Sequence, residues 1–462
     1  MSRKTLSASS VAVFVLVAGC NEDNPTEVAL LSDELSATLE SLGGEATFIL
    51  PDEDNLAEIP ADPANPLTAT KVELGKFLYH ETGLATAPND ESRVGTYSCA
   101  SCHHSAAGFK AGVPQGIADG GQGFGTVGEG RELRPGLDGN APATSPMRPD
   151  IQPVASPTTL NVAYQEVMLW NGQFGNASSS SINFDLPMNV VATPGTPKAE
   201  NVRGLAGVEI QAIAGLGVHR LEVEGNTLLQ TLPEYRELFA QAFPNSTDTL
   251  EDAAKAIAAF ERTLLTNRSP FQRWLRGDRG SMTISELRGA NLFFGKAGCN
   301  ACHTGPALSS RPGARADEVF MAIGFDDLDT DDSRVHGTIG DADSRGRGGF
   351  TGNPEDDFKF KIPSLYNLAD APFYGHGASF NNIRAVVEYK NMGRTQRSIP
   401  ADRLDARFRP LGLSAAEVGD LTVFLETALH DGELDRYVPE SLPSGNCFPN
   451  ADPMSMDDLG CP

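Results

Sequence analysis

Two short motifs carry most of the chemistry legible in this 462-residue chain: Cys99-Ala100-Ser101-Cys102-His103 and Cys299-Asn300-Ala301-Cys302-His303. A bare Cys-x-x-Cys would suit a zinc knuckle or a redox dithiol. The His that follows each pair points elsewhere. Two thiols can add across the vinyl groups of one porphyrin while the adjacent imidazole ligates its iron. Two copies predict two covalently bound c-type haems, with His103 and His303 as iron ligands.

The other three of the seven cysteines fit an exported protein. Arg3 and Lys4 precede an apolar run over residues 11–17, which ends in Val17-Ala18-Gly19-Cys20. That run is too short to span a bilayer, and its small-residue ending is that of a signal peptide. Residues 1–19 are expected to be cleaved as a lipoprotein leader, leaving an acylated Cys20. The mature chain would then lie in the periplasm, anchored by lipid to a bacterial membrane, with the outer one preferred. Cys447 and Cys461 sit in a polar tail, where an oxidising compartment predicts a disulfide.

Charge narrows the partners. Losing Arg3 and Lys4 with the leader takes the 36 basic residues down by two against 61 acidic ones, moving the net charge from −25 to −27. Nucleic acid and anionic membrane surfaces are poor partners for such a surface, whereas a basic or neutral electron carrier is attracted.

The elements that must position the motifs follow from local pattern. Residues 20–66, rich in Asp, Glu, Pro, Ala and Asn, predict a tether with one short helix near residues 28–42. Thr70-Lys71-Val72-Glu73 predicts a capping box opening a helix with Leu74, Phe77 and Leu78 on one side. Thr283-Ile284-Ser285-Glu286 repeats that grammar ahead of Leu287, Gly289, Leu292 and Phe293. Each helix leads into a Cys-x-x-Cys-His, which makes an internal duplication. Residues 250–266 predict a helix with Ile257, Phe260 and Leu264 at helical spacing. Residues 111–157 and 171–204 are Gly-, Pro- and Ser-rich loops expected to line a cofactor or partner site. The acidic stretch 326–357 lacks the Gly and Glu of a calcium loop and is expected to be a solvated excursion.

Further motifs give the chain a family resemblance. They are Pro157-Thr158-Thr159-Leu160-Asn161, Leu169-Trp170-Asn171-Gly172-Gln173, Phe260-Glu261-Arg262-Thr263-Leu264, Phe360-Lys361-Ile362-Pro363 and Ala371-Pro372-Phe373-Tyr374-Gly375-His376-Gly377. With both haem motifs, over about residues 67–437, the chain resembles the bacterial di-haem cytochrome c peroxidases and their MauG-like relatives. The resemblance implies a mainly α fold of two cytochrome c-like haem domains with long loops. The first unit, 67–245, would be peroxidatic, the second, 246–437, would transfer electrons, and 438–462 would form a stapled tail.

The resemblance also implies roles. Trp170 falls on the inter-haem aromatic, with core packing as its alternative. Gln211 and Glu222 stand near the family's distal Gln and Glu, and His219-Arg220 competes for the same acid–base work. Many relatives carry a capping His some sixteen residues after the first haem motif. Here Ala118 and Asp119 occupy that region, and no His lies between His104 and His219. An open first iron that needs no reductive activation is the expectation. For the second iron the helix around residues 383–392 offers Met392 or Tyr389, with Lys390 beside them; His376 is expected to hydrogen-bond rather than ligate. Asn161, Asp370 and Pro372 stand at the family's calcium positions, Asn161 having turn formation as its alternative.

The implied reaction is reduction of hydrogen peroxide to water with electrons from a small cytochrome c or cupredoxin. The rival is a MauG-like peroxide-dependent oxidation of side chains on a partner protein.

Overall fold

The computed structural model describes residues 24–175, 203–310 and 313–462. The leader and Cys20 lie outside the described residues. The main helices are α1 (Pro25–Ser41), α2 (Ala69–His80), α3 (Gly207–Val218) and α4 (Thr249–Thr263). They continue with α5 (Ile284–Phe294), α6 (Ile383–Met392), α7 (Ala415–Val423) and α8 (Pro453–Leu459). Among the described residues, strands are confined to two antiparallel two-residue ladders: Gly121–Gln122 with Glu132–Leu133, and Phe320–Met321 with Phe360–Lys361. The fold is mainly α.

Caps set where the helices begin. At α5, Glu286 N–H donates to Thr283 Oγ1 at 3.3 Å and Thr283 N–H donates to the Glu286 carboxylate at 2.7 Å, the predicted reciprocal box. At α2 the cap is Thr68 rather than Thr70: Lys71 N–H donates to Thr68 Oγ1 at 3.3 Å. Leu67 packs into the second core and fixes the entry of the chain there, so the helix begins a little earlier than local pattern predicts.

Each helix pair crosses closely. A Cβ built at Gly75 of α2 would lie 1.9 Å from the Ala256 carbonyl of α4, and one at Gly289 of α5 would lie 2.2 Å from the Asp420 carbonyl of α7. Glycine is required at both crossings because backbone occupies the space of the side chain. Around α2, α3 and α4 lies one apolar core, with Leu74, Leu78, Ile213, Ile257 and Phe260; around α5 and α7 lies a second, with Leu287, Phe293, Phe271, Trp274 and Phe424.

Both ends of the described residues reach across the duplication. Residues 25–66 are not a tether. Leu35 and Leu39 of α1, with Phe48 and Leu50, are buried in the second core. The Trp274 indole N–H donates to Ser32 at 3.2 Å, and Leu50 N–H donates to Gln272 at 2.9 Å. Polar composition concealed this, because a small set of apolar residues makes the contact while others, such as Leu30, stay exposed. The C-terminal tail, closed by a Cys447–Cys461 disulfide, packs on the first unit. Asp452 is fully buried against Arg131 at 2.9 Å, and its carboxylate also accepts from Gly123 N–H at 3.0 Å.

One buried pair makes a stability prediction. Glu209 of α3 accepts from Arg262 of α4 at 2.6 and 3.0 Å and from Asn65 at 3.1 Å, with both charged groups almost wholly buried. Glu209→Ala strands the guanidinium in the core and is expected to cost roughly 3–5 kcal/mol. A guanidinium titration measures it.

Candidate active site

Each Cys-x-x-Cys-His folds as a tight turn that turns both thiols and the imidazole toward one cavity. In the first, Ser98 and Ser101 hydroxyls both donate to the Pro449 carbonyl of the tail, at 2.9 and 3.1 Å. His103 Nδ1 donates to the Phe109 carbonyl at 3.3 Å; His303 Nδ1 donates to the Leu308 carbonyl at 3.0 Å. These bonds fix the tautomer with Nε2 left as the metal-facing nitrogen. Burial pushes both imidazoles down to about 4, so each is the neutral, ligating form at physiological pH.

No disulfide joins the two thiols within either motif, and burial raises all four, Cys99, Cys102 and Cys299 to about 12. The first cavity measures about 880 Å³ and the second about 2010 Å³, open mouths included. Phe293, Ile362, Leu365, Val387 and Leu421 make the second wall apolar, yet Lys110, Lys361, Lys390, Arg407 and Arg409 also line it. A large apolar space with the two thiols and the imidazole of the motif, and a basic rim, fits a macrocycle that carries carboxylates. The residues present fit a porphyrin.

Comparison with known proteins agrees. Residues 69–280 match the family model described as di-haem cytochrome c peroxidase. The chain is 28% identical to the cytochrome-c peroxidase IdrP1 of Pseudomonas sp. (strain SCT), over 88% of this chain and 93% of that protein. It is 27% identical to the cytochrome c551 peroxidase of Nitrosomonas europaea, over 92% of this chain and 97% of that protein. With methylamine utilization protein MauG of Methylorubrum extorquens it shares 28% identity, over 80% of this chain and 81% of that protein. The chain belongs to the di-haem cytochrome c peroxidase family. A crystal structure of a MauG-like protein associated with microbial copper homeostasis shares the fold, with a TM-score of 0.56 and 23% identity over 83% of this chain and 95% of that one. As a di-haem peroxidase the chain is an oxidoreductase of the cytochrome-c peroxidase type, and the family implies two haem c groups.

This di-haem peroxidase arranges its first cavity in its own way. Gln211, Gly215 and His219 follow one another at four-residue spacing along α3 and its C-terminal end, and all three line the cavity with Cys99, Cys102 and His103. His219 Nδ1 and Asp150 Oδ2 are 2.6 Å apart. Glu222 does not line this cavity: its carboxylate accepts from Thr86 at 2.8 Å in an exposed position. The chain turns at Arg220, which has a positive φ of 58°, and buried Leu221 takes the place facing inward. Ala118 lines the cavity where a capping His was absent from the sequence; Asp119 beside it is fully buried, paired with Arg93 at 3.1 Å and with Arg220.

Glu261 of α4 faces the same cavity and had no role assigned from sequence. Burial above all, and the Glu209 charge nearby, raise its carboxyl from 4.5 to about 8, against the pull of Arg262. Between those values the unfolded chain binds fewer protons than the folded one, so this group lowers stability as pH rises through the window. Glu261→Gln is expected to remove that loss. Unfolding titrations across the window should show the variant gaining on the parent as pH rises.

Pro157, Thr158, Gln165 and Lys361 line both cavities and form the wall between them. Trp170 lines the second cavity at this wall; its indole donates to the Ala155 carbonyl at 2.8 Å and its own carbonyl accepts from Lys361 N–H at 2.7 Å. The ring of His376 stacks on Phe360 at 3.5 Å, and its Nε2 lies 3.0 Å from Asp327. Asp327 comes from the acidic stretch 326–357, which is therefore a support for the second cavity and not only a solvated excursion. Trp274 is buried in the second core.

On α6, Met392 is 55% exposed and absent from the second cavity. Tyr389 is buried beside the cavity wall, its hydroxyl donating to the Ile323 carbonyl. Lys390 lines the cavity itself. The calcium candidates sit in separate networks. Asn161, with a positive φ of 58°, accepts from Thr266 N–H at 3.2 Å and donates to Thr266 Oγ1 at 2.9 Å. Asp370 is paired with His430 at 2.9 Å and accepts from Asn367 at 2.8 Å, and Pro372 follows in the next turn. Among the described residues no group of three His, Cys, Asp or Glu side chains could hold a metal ion.

Proposed function

We propose that this chain reduces hydrogen peroxide to two waters, taking two electrons from a small exported redox protein and two protons from solvent. The observation that carries this reading is the meeting of a haem-attachment motif with Gln211 and His219 in one cavity, His219 being held by Asp150 outside the lining. A haem bound through Cys99, Cys102 and His103 would supply the redox-active metal to which peroxide binds. The chain supplies the proton handling. His219 takes a proton from one peroxide oxygen and returns it to the other as the O–O bond breaks. Asp150 holds the imidazole in one tautomer and offsets its positive charge. Gln211 offers an amide that orients the bound peroxide.

The second cavity, with Cys299, Cys302 and His303, would hold the electron-receiving group. Trp170, at the wall between the cavities, is the residue suited to carry electrons across. The net charge of −25 favours a basic or neutral cytochrome c or cupredoxin as donor. The leader and Cys20 support a periplasmic location on a lipid anchor. Among the described residues no helix is long and apolar enough to cross a membrane.

A second reading has its own support: Ala118 and buried Asp119 leave no His to cap the first iron from that loop, which favours MauG-like oxidation of a partner protein. Stopped-flow mixing of the diferric holoprotein with peroxide tests both. Oxidation of two equivalents of reduced donor per peroxide supports the peroxidase. An oxidised protein that persists for minutes and spends its equivalents on a partner's side chains supports the rival, and no reaction with peroxide defeats both.

A further inference from the structure

We propose that Lys390 is the second axial ligand of the iron held by His303, bound through a neutral amine. This rests on the reading of the second cavity as a haem site. Helix α6 offers three candidates within one turn and sends them to three different places. Met392 lies exposed at the helix end, and Tyr389 commits its hydroxyl to Ile323 among the rings of Phe325, Phe380 and Phe408. Lys390 alone of the three lines the cavity.

The surroundings of its amine favour coordination. Nζ lies 5.5 and 5.4 Å from the ring centres of Phe325 and Phe408, and Cys299 and Cys302 line the same cavity. Among the described residues it has no hydrogen-bond or ion-pair partner; nearby Asp405 is taken by Arg407 at 2.8 Å. Two aromatic faces offset only part of the cost of keeping a charged amine there, and coordination as a neutral donor removes the rest. Of the other nitrogen donors in the lining, Lys110 donates to the Phe373 carbonyl at 3.0 Å and Lys361 to Gln165. His376 turns Nε2 to Asp327 and stacks its ring on Phe360 at 3.5 Å, which leaves its Nδ1 and the thioether of Met321 as the competitors in the lining.

Ligation forms one nitrogen–iron dative bond and releases one proton from the ammonium to solvent, with no change in iron oxidation state. A primary amine lacks the preference for ferrous iron that a thioether confers, so this haem would sit at a lower potential than one with Met in the same position.

The test uses the holoprotein, first shown to carry two haems per chain. Electron paramagnetic resonance and near-infrared magnetic circular dichroism of the ferric state should show one low-spin haem without a thioether charge-transfer band. Lys390→Arg, which keeps the positive charge but cannot ligate, and Lys390→Ala should each turn that haem high-spin. Lys390→Met should keep it low-spin, introduce the thioether band and raise its potential. A low-spin signal that survives in Lys390→Arg would mean that Lys390 pairs with a porphyrin carboxylate, and the proposal fails. It fails equally if Met321→Leu or His376→Gln, and not the Lys390 variants, abolishes the signal. Fewer than two haems in the parent protein would overturn the haem reading as well, a result distinguishable from either.

Discussion

Exchanging His219 for alanine is expected to lower kcat/KM for hydrogen peroxide by roughly 10²- to 10⁴-fold while both haems stay attached. The size follows from what the side chain is placed to do. Without a base in the cavity, the peroxide proton must leave to solvent and return from it, and the leaving oxygen departs without assistance. No neighbour replaces the imidazole: Glu222 is outside the cavity and Leu221 is apolar. Glu261 is the other acid in the lining, and burial holds it protonated to about 8, so it can donate a proton but is a poor base at neutral pH. Asp150→Asn should act in the same direction by less, because it leaves the imidazole in place and removes only the anion 2.6 Å from Nδ1. Steady-state kinetics with a reduced cytochrome, alongside a spin-state measurement, checks this. An unchanged rate excludes His219 from the chemistry. A faster rate, with loss of low-spin character at the first haem, would place His219 on the iron instead of on the peroxide.

Removing Cys299 and Cys302 together, as alanines, is expected to halve the covalently bound haem and to loosen the whole second unit. Deleting one large core side chain typically costs roughly 2–5 kcal/mol, because the void is only partly filled by relaxation. The second cavity, about 2010 Å³ with its mouth, is lined mainly by α6 and the loops around residues 297–303, 321–325, 360–376 and 407–411, so these segments rest on the bound group while α5 and α7 pack directly at Gly289. Leaving it empty costs an amount comparable to the roughly 5–15 kcal/mol that usually separates folded from unfolded protein. The first unit should persist, because α2, α3 and α4 bury a core of their own and the disulfide-closed tail braces Ser98 and Ser101. Intact mass under denaturing conditions should show one haem in place of two, and limited proteolysis should cut first within the second unit. Two covalent haems in this variant, or early cleavage confined to the first unit, would contradict the account.

Much of the scaffold is legible in local sequence. Each Cys-x-x-Cys-His is five consecutive residues, so its chemistry needs no knowledge of the fold. The capping box at Thr283 and the helical spacing of Ile257, Phe260 and Leu264 are equally local, and each appears as a helix within a few residues of its expected bounds. Gln211 lines the first cavity because four-residue spacing on α3 puts it on the same face as Gly215 and His219. Local pattern errs where a competing long-range contact wins. Leu67, packed against the second core, moves the cap of α2 to Thr68, and five buried apolar residues, Leu35, Leu39, Phe48, Leu50 and Ile59, turn an acidic stretch into a strap on the second core.

What the amino-acid order determined, then, was the pair of porphyrin-attachment motifs, the mainly helical scaffold and the cysteines of the tail disulfide. What only the tertiary structure decided was which side chains share a cavity with each motif. Asp150 meets His219 across 69 residues, while Glu222, three residues from His219, faces outward. On α6, one residue of separation puts Tyr389 among aromatic rings and Lys390 into the cavity. Covalent attachment acts between neighbours and is written in their spacing. Proton transfer and iron ligation act through space over a few ångströms, and that proximity exists only once distant loops and helices have packed.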